Sequence, residues 1–271
     1  MSPVEQFFAV FASANKAIWP IQVLWYAAAL GAIILACRPS PRSGRLVGIF
    51  LATYYVWMGI VFFWIFYSPL DKAAGFDGAM FILQGVLFLT AGVIRSDLVF
   101  RPRWNAYSMV GGMAILYSLV IYPILGALSG HFFPAAPIFS IAPCPTAIFT
   151  VGLLLWTEGR LPKYLLFVPF AWSLAAWPGA ISMGVVEDLA LPVVGLVGAF
   201  LIIWRDRTSL MRALSIALVL AAMVFASGHD DLLLGASLVF IVITLVQQLV
   251  GRYSIAPNRV SPSLLGPRNQ R

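Results

Sequence analysis

Long apolar runs separated by short charged or Gly/Pro-rich connectors recur along the whole sequence, and no other feature limits its fold as strongly. A helix that crosses a bilayer needs about 20 mostly apolar residues. Helices are predicted over residues 19–37, 46–67, 80–94, 104–128, 138–156, 164–183, 189–204, 210–226 and 232–250. The sequence therefore predicts an all-α, polytopic bundle of about nine transmembrane helices.

The composition supports this fold and argues against a soluble domain. Only 10% of the 271 residues are charged and 61% are hydrophobic, whereas soluble domains carry about 25% charged residues. The formal net charge of +7 does not indicate nucleic-acid binding, because the basic residues lie in connectors between apolar runs, where they set membrane orientation. The expected partner is the lipid bilayer, with no nucleic acid.

Basic residues occupy every second connector, and this alternation predicts the topology. Placing those connectors in the cytoplasm puts 15 of the 17 Lys and Arg residues there and leaves Lys16 and Lys72 outside. We therefore predict a multi-pass protein of the bacterial inner membrane with its N-terminus outside and its C-terminus inside. Residues 1–204 are expected to form a seven-helix module, 205–251 two additional helices and 252–271 a short cytoplasmic tail.

The segment 131–146 concentrates unusual residues in this apolar chain. It holds four prolines, one of the two histidines, His131, and one of the two cysteines, Cys144. Prolines deny helical hydrogen bonds and bias the preceding residue away from helix, so the segment is predicted to be a turn or re-entrant dip, with a helix properly starting after Pro145. Two interpretations remain open: a turn that merely starts a helix, or an exposed thiol beside an outer vestibule.

The same segment carries a family resemblance. Its motifs are Gly-His at 130–131, Phe-Pro at 133–134 and Ala-Pro-Cys-Pro-Thr at 142–146. Set in seven hydrophobic segments that end near Trp204, these motifs resemble a family of uncharacterised bacterial integral membrane proteins with a domain of unknown function. The resemblance covers roughly the first three quarters of the chain. It implies a bacterial membrane location and no particular activity or cofactor.

Ionisable side chains gather on the predicted outer face, where they could bind a transition metal. The members are Asp71, Asp77, His131, Cys144, Glu187, Asp188, His229, Asp230 and Asp231. Imidazole, thiolate and carboxylate are common ligands of such ions, so Cys144, His131, His229 and Asp230 are the predicted metal ligands, with Glu187 and Asp188 as further candidates. No pair has metal-ligand spacing within one helix, so their convergence is a hypothesis.

Structural roles explain some of these residues equally directly. Asp188 stands just before a predicted helix and is expected to be its N-cap, where the helix dipole favours an acid. His229, Asp230 and Asp231 fit a polar turn that caps the last helix. Cys37 and Cys144 are expected on opposite faces of the membrane, so they are not expected to pair.

Motifs for catalysis are missing from the sequence. There is no seryl-nucleophile, phosphate-loop, CxxC or HExxH pattern, and no charged residue lies near the middle of a predicted helix. We therefore predict a permease-type protein that passes a small solute or metal species through a mostly neutral pathway, with an outer vestibule near Cys144 and His131. The alternatives are a membrane-embedded metal or redox enzyme, and an accessory subunit of a larger membrane complex or homo-oligomer.

Overall fold

A computed structural model describes residues 1–206 as a bundle of helices. They are α1 (Pro3–Ala17), α2 (Ile21–Ala36), α3 (Pro41–Tyr67), α4 (Ala74–Ile94), α5 (Ala106–Leu128), α6 (Pro143–Leu155), α7 (Lys163–Met183) and α8 (Val186–Arg205). This part of the chain contains no β-strand, only an isolated bridge between Phe100 and Thr157. The predicted helices at 210–226 and 232–250 and the tail at 252–271 lie outside the described residues.

Five of these helices, α3, α4, α5, α7 and α8, are each long and apolar enough to cross a membrane. The number becomes six when α1 and α2, which meet at an 86° bend, are counted as one broken span. The all-helical fold is therefore confirmed for residues 1–206. Nine spans and their orientation stay predictions.

Helix α6 is shorter than the helix predicted over residues 138–156 and lies in the centre of the bundle. It has 13 residues, all of them buried, and is therefore about 20 Å long, against a hydrocarbon core of about 30 Å. The difference arises at its N-terminus, because residues 129–142 form turns rather than helix. Pro143 stands at the first position of α6, where its missing N–H leaves no helical hydrogen bond unmade.

The turn segment 129–142 descends into the bundle before α6 begins. Tyr54, halfway along α3, donates its hydroxyl hydrogen bond to the Phe139 carbonyl, and the Trp57 indole donates to the Ser140 carbonyl at 3.0 Å. Such non-helical backbone is tolerated at membrane depth only where protein covers it. The turn segment and α6 together therefore form one broken passage through the bundle, in agreement with the predicted turn or re-entrant dip.

No helix is predicted before residue 19, yet the chain begins with α1. Ser2 and Glu5 form a capping box, with hydrogen bonds of 3.2 and 2.8 Å between each side chain and the backbone N–H of the other. The 86° bend turns α1 across one end of the bundle. The Asn15 amide then donates to the carbonyls of Pro134 and Ala136 at 2.8 and 2.9 Å, which ties α1 to the turn segment.

The two ends of the bundle differ in charge. The connectors between α2 and α3, α4 and α5, and α6 and α7 share the end that we call the basic end. There Arg101 and Arg103 both pair with Glu158, and Lys163 pairs with Asp206. The opposite end, which α1 crosses, is called the α1 end. The alternation of basic connectors in the sequence thus corresponds to one positively charged end of the structure.

Candidate functional site

Six polar or ionisable side chains meet inside the α1 end of the bundle. They are Tyr117, Tyr122, His131, Cys144, Glu187 and Asp188, called here the buried cluster. They come from α5, the turn segment, the first turn of α6 and the first turn of α8. The structure therefore brings together four of the residues singled out in the sequence, although the first and the last of these are 57 positions apart.

His131 and Glu187 form the ionisable pair of the cluster. The Nδ1 atom of His131 lies 2.8 Å from Oε1 of Glu187, and their side chains are 14% and 0% exposed. Phe8 of α1 covers the imidazole, with ring centroids 4.4 Å apart. Gly126 gives the carboxylate its space, since a Cβ at that position would stand 2.9 Å from Oε1. The pair is thus held between α1 and α5.

Asp188 connects the deeper members of the cluster. The Tyr122 hydroxyl donates to Oδ1 of Asp188 at 2.5 Å, and the Cys144 thiol lies beside the same carboxyl group. The Tyr117 hydroxyl donates to the backbone carbonyl of Glu187 at 2.7 Å. Because Cys144 is in the first turn of α6, Asp188 faces the N-terminus of that helix, where the helix dipole favours negative charge.

One oxygen of Glu187 has no partner in the part of the chain that the structure describes. Its Oε2 atom is buried and makes no hydrogen bond within residues 1–206. Leaving a buried acceptor unpaired costs roughly 1–3 kcal/mol. This oxygen is therefore the position in the cluster at which a proton or a donor group of a ligand would be stabilised most.

A tight chain reversal turns the two acids inward. Gly184 ends α7 with a φ of +70°, a left-handed conformation that glycine adopts without steric penalty. The chain then enters the 3-10 turn Val186–Leu189 that starts α8. This turn leaves Glu187 0% and Asp188 6% exposed. An acidic dipeptide that would suit a surface connector is thereby buried.

Two structural expectations for these residues are wrong. Asp188 is not an N-cap, because it lies inside the 3-10 turn Val186–Leu189 that starts α8, and Val185 precedes that turn. Its carboxyl group instead accepts the hydrogen bond of Tyr122. Cys144 is not an exposed thiol, since it is only 7% exposed. It is buried because α6 begins inside the bundle and not at its surface. Cys37 is exposed, and both cysteines are free.

The two tyrosines of the cluster are not predicted from the sequence. Tyr117 and Tyr122 lie within an apolar run, where a tyrosine cannot be distinguished from the other large hydrophobic residues by the pattern alone. A usable signal exists, because a phenol far from the ends of a membrane-length run needs a hydrogen-bond partner in the bundle. Two such phenols on α5 therefore indicate a polar neighbour facing that helix.

Other acids and histidines named from the sequence lie elsewhere. Asp71 accepts a backbone hydrogen bond at 2.8 Å within its own turn, and Asp77 lines a separate pocket. His229 and Asp230 lie outside the described residues, as does Asp231. In the part of the chain that the structure describes, no three His, Cys, Asp or Glu side chains are arranged to hold a metal ion. The four-residue metal site therefore stays a prediction.

Comparison with known proteins places the chain in a family. A family model described as a family of unknown function (DUF6064) matches residues 4–213, a range that includes the whole buried cluster. No curated protein and no solved structure matches the chain. Because the matched range is well over half of the 271 residues, the chain belongs to DUF6064, a family of unknown function.

Proposed function

We propose that this protein is a permease-type carrier of the bacterial inner membrane, with its N-terminus outside and its C-terminus inside, and that the buried cluster is its substrate site. The species carried is a small solute or metal ion of positive charge, and its passage moves net charge across the bilayer. One observation carries the proposal: the carboxyl group of Glu187 is fully buried beside His131, and one of its oxygens has no hydrogen-bond partner within residues 1–206.

The charge of the cluster favours a cation over an anion. Two neighbouring carboxyl groups, Glu187 and Asp188, face one imidazole, His131. With both carboxyl groups and the imidazole ionised, the cluster carries one net negative charge. A low-dielectric interior tolerates such a charge poorly unless a positive charge neutralises it. Ionisable groups inside membrane bundles are rare and mark substrate or ion paths. The mostly neutral pathway expected from the sequence is therefore acidic at this point.

The broken passage formed by the turn segment and α6 also supports a carrier. Discontinuous helices build the substrate sites of many transporters, because a helix terminus within the membrane presents oriented dipoles to the substrate. Here Cys144, in the first turn of α6, lies beside Asp188. The buried cluster is nearly shielded from solvent at this end of the bundle, since the His131 side chain is only 14% exposed. Movement of α1 or of the turn segment would admit the substrate.

The experiment is transport by purified protein in liposomes, recorded as current on a solid-supported membrane. The panel consists of pH steps, ammonium chloride, manganese chloride and zinc chloride, applied at both polarities. We expect the wild type to give a current with at least one member. Glu187→Gln should reduce this current tenfold or more, because the amide cannot carry the negative charge.

Asp97→Asn is the matched control, because it makes the same acid-to-amide change at an exposed residue of the basic end. Its current should equal that of the wild type. Absence of current for the whole panel, or a current that survives Glu187→Gln undiminished, contradicts the proposal. Metal analysis and a visible spectrum of the same preparation test the alternative of a metal or redox enzyme, which would bring a stoichiometric metal or a coloured cofactor.

A further inference from the structure

A second buried acid lies apart from the buried cluster. Asp77, in the first turn of α4, is 7% exposed. Within residues 1–206 its carboxylate forms no ion pair and accepts no hydrogen bond. A positive partner would stabilise the ionised form of an acid in this position.

Asp77 opens into a small pocket with aromatic walls. The rings of Phe76, Phe81, Phe167 and Trp172 line it. Phe81 and Trp172 pack edge to face, with ring centroids 5.5 Å apart at 84°, so these two walls support each other. The cavity volume is ≈ 20 Å³, somewhat more than the ~10–15 Å³ that one water needs.

We propose that this pocket binds one small nitrogen cation, of which ammonium is the smallest, between the Asp77 carboxylate and the aromatic walls. The faces of aromatic rings attract cations within about 6 Å, and they do so most strongly where water is excluded. The carboxylate supplies the counter-charge and accepts an N–H hydrogen bond. Charge, hydrogen bonding and size therefore all match an ammonium-type ion.

The walls of the pocket disfavour a hard metal ion. Calcium and magnesium need about six to eight oxygen ligands, whereas the side chains here offer the carboxylate of Asp77, aromatic rings and the thioether of Met80. An ammonium ion needs fewer oxygens, because its remaining N–H bonds can point at ring faces. The pocket thus suits an ammonium-type ion by the type of contact that it offers.

The pocket and the buried cluster share a wall. Trp172 lines the pocket and also packs against the side chains around Cys144. The inference therefore adds a second cation site next to the proposed substrate site, and it does not depend on the proposed function. Binding is measured on purified protein in detergent, where no transport takes place.

The experiment titrates ammonium chloride into the full-length protein in detergent and records Tm, with sodium chloride at the same ionic strength as reference. We expect a saturable rise in Tm with ammonium and none with sodium. Asp77→Asn should abolish the rise, and Asp97→Asn should retain it. Phe76→Leu keeps the acid and removes one partly exposed wall, so it should raise the half-saturating ammonium concentration about two- to fivefold, the size of one exposed cation–π contact.

Each other outcome overturns the inference. An equal rise with sodium means that the effect is one of salt, a rise that persists in Asp77→Asn places the ion elsewhere, and the absence of saturation means that the pocket holds water or a neutral acid. If Asp77→Asn fails to fold, Phe76→Leu decides, because an unchanged half-saturating concentration excludes the aromatic walls. Saturable binding without any transport current would keep the pocket and contradict the carrier, so the two failures are distinguishable.

Discussion

At the residue scale, the buried cluster depends on single hydroxyl groups. Tyr122→Phe removes the donor to Asp188 while keeping the ring, so it leaves a buried carboxyl group short of one hydrogen bond. We expect a loss of about 1–3 kcal/mol in unfolding free energy, or several degrees in Tm. Thermal unfolding in detergent measures this.

The control for that change lies on the same helix. Tyr107 of α5 is only partly buried, and its hydroxyl makes no hydrogen bond within residues 1–206. Tyr107→Phe should therefore leave Tm unchanged within about 1 °C. Equal Tm values for the two variants would mean that the Asp188 carboxyl does not depend on Tyr122.

The composition of the cluster also shows what a sequence can reveal about a site. His131, Cys144, Glu187 and Asp188 stand out because they are rare residue types at breaks between apolar runs. Their partners do not, because the hydrogen bond of Tyr122 joins residues 66 positions apart. The inward direction of Glu187 depends on the left-handed turn at Gly184, a backbone feature that the pattern of apolar residues does not record.

At the element scale, close contact between helices is set by glycines. A Cβ on Gly111 of α5 would stand 2.6 Å from the carbonyl oxygen of Gly152 in α6, and a Cβ on Gly152 would stand 2.7 Å from that of Gly111. Real Cβ atoms do not approach backbone this closely, so only glycine at both positions allows α5 and α6 to lie at this distance. The position of α6, and with it Cys144, depends on this contact.

Gly111→Ala should therefore force α5 and α6 apart and lower the unfolding free energy by about 1–3 kcal/mol. Gly112→Ala is the matched control one residue along, where the new Cβ meets only the Trp156 ring at 3.7 Å. That change should be neutral or stabilising by up to about 1 kcal/mol, because alanine is the better helix former. Thermal unfolding of both variants in detergent measures the difference, and a similar Tm for the two would contradict the close contact.

Helices that are apolar along their whole length could be predicted, and those that are not could not. The run at 104–128 becomes α5 (Ala106–Leu128) with nearly the predicted ends. Helix α1 is not predicted because Glu5, Ser13 and Lys16 interrupt the apolar run in the sequence, although all three are exposed in the structure. Helix α6 starts late because the residues before Pro143 find their hydrogen bonds with α3 rather than in a helix.

At the scale of the whole molecule, charge separates the two ends of the bundle. Nine of the eleven Lys and Arg residues between positions 1 and 206 lie near the basic end, and Lys16 and Lys72 lie near the α1 end. Cytoplasmic connectors are enriched in Lys and Arg, so the basic end is expected in the cytoplasm. The buried cluster would then face the outside of the cell.

Two exposed positions test this orientation. Cys37 is exposed at the basic end, and Lys72 is exposed in the connector after α3 at the other end. In spheroplasts, a membrane-impermeant maleimide should label Lys72→Cys, made in a Cys37→Ser, Cys144→Ser background, but not Cys37 in the Cys144→Ser variant. Permeabilisation should make Cys37 reactive, because only the bilayer shields it. The reverse pattern would place the basic end outside, and substrate would then reach the buried cluster from the cytoplasm.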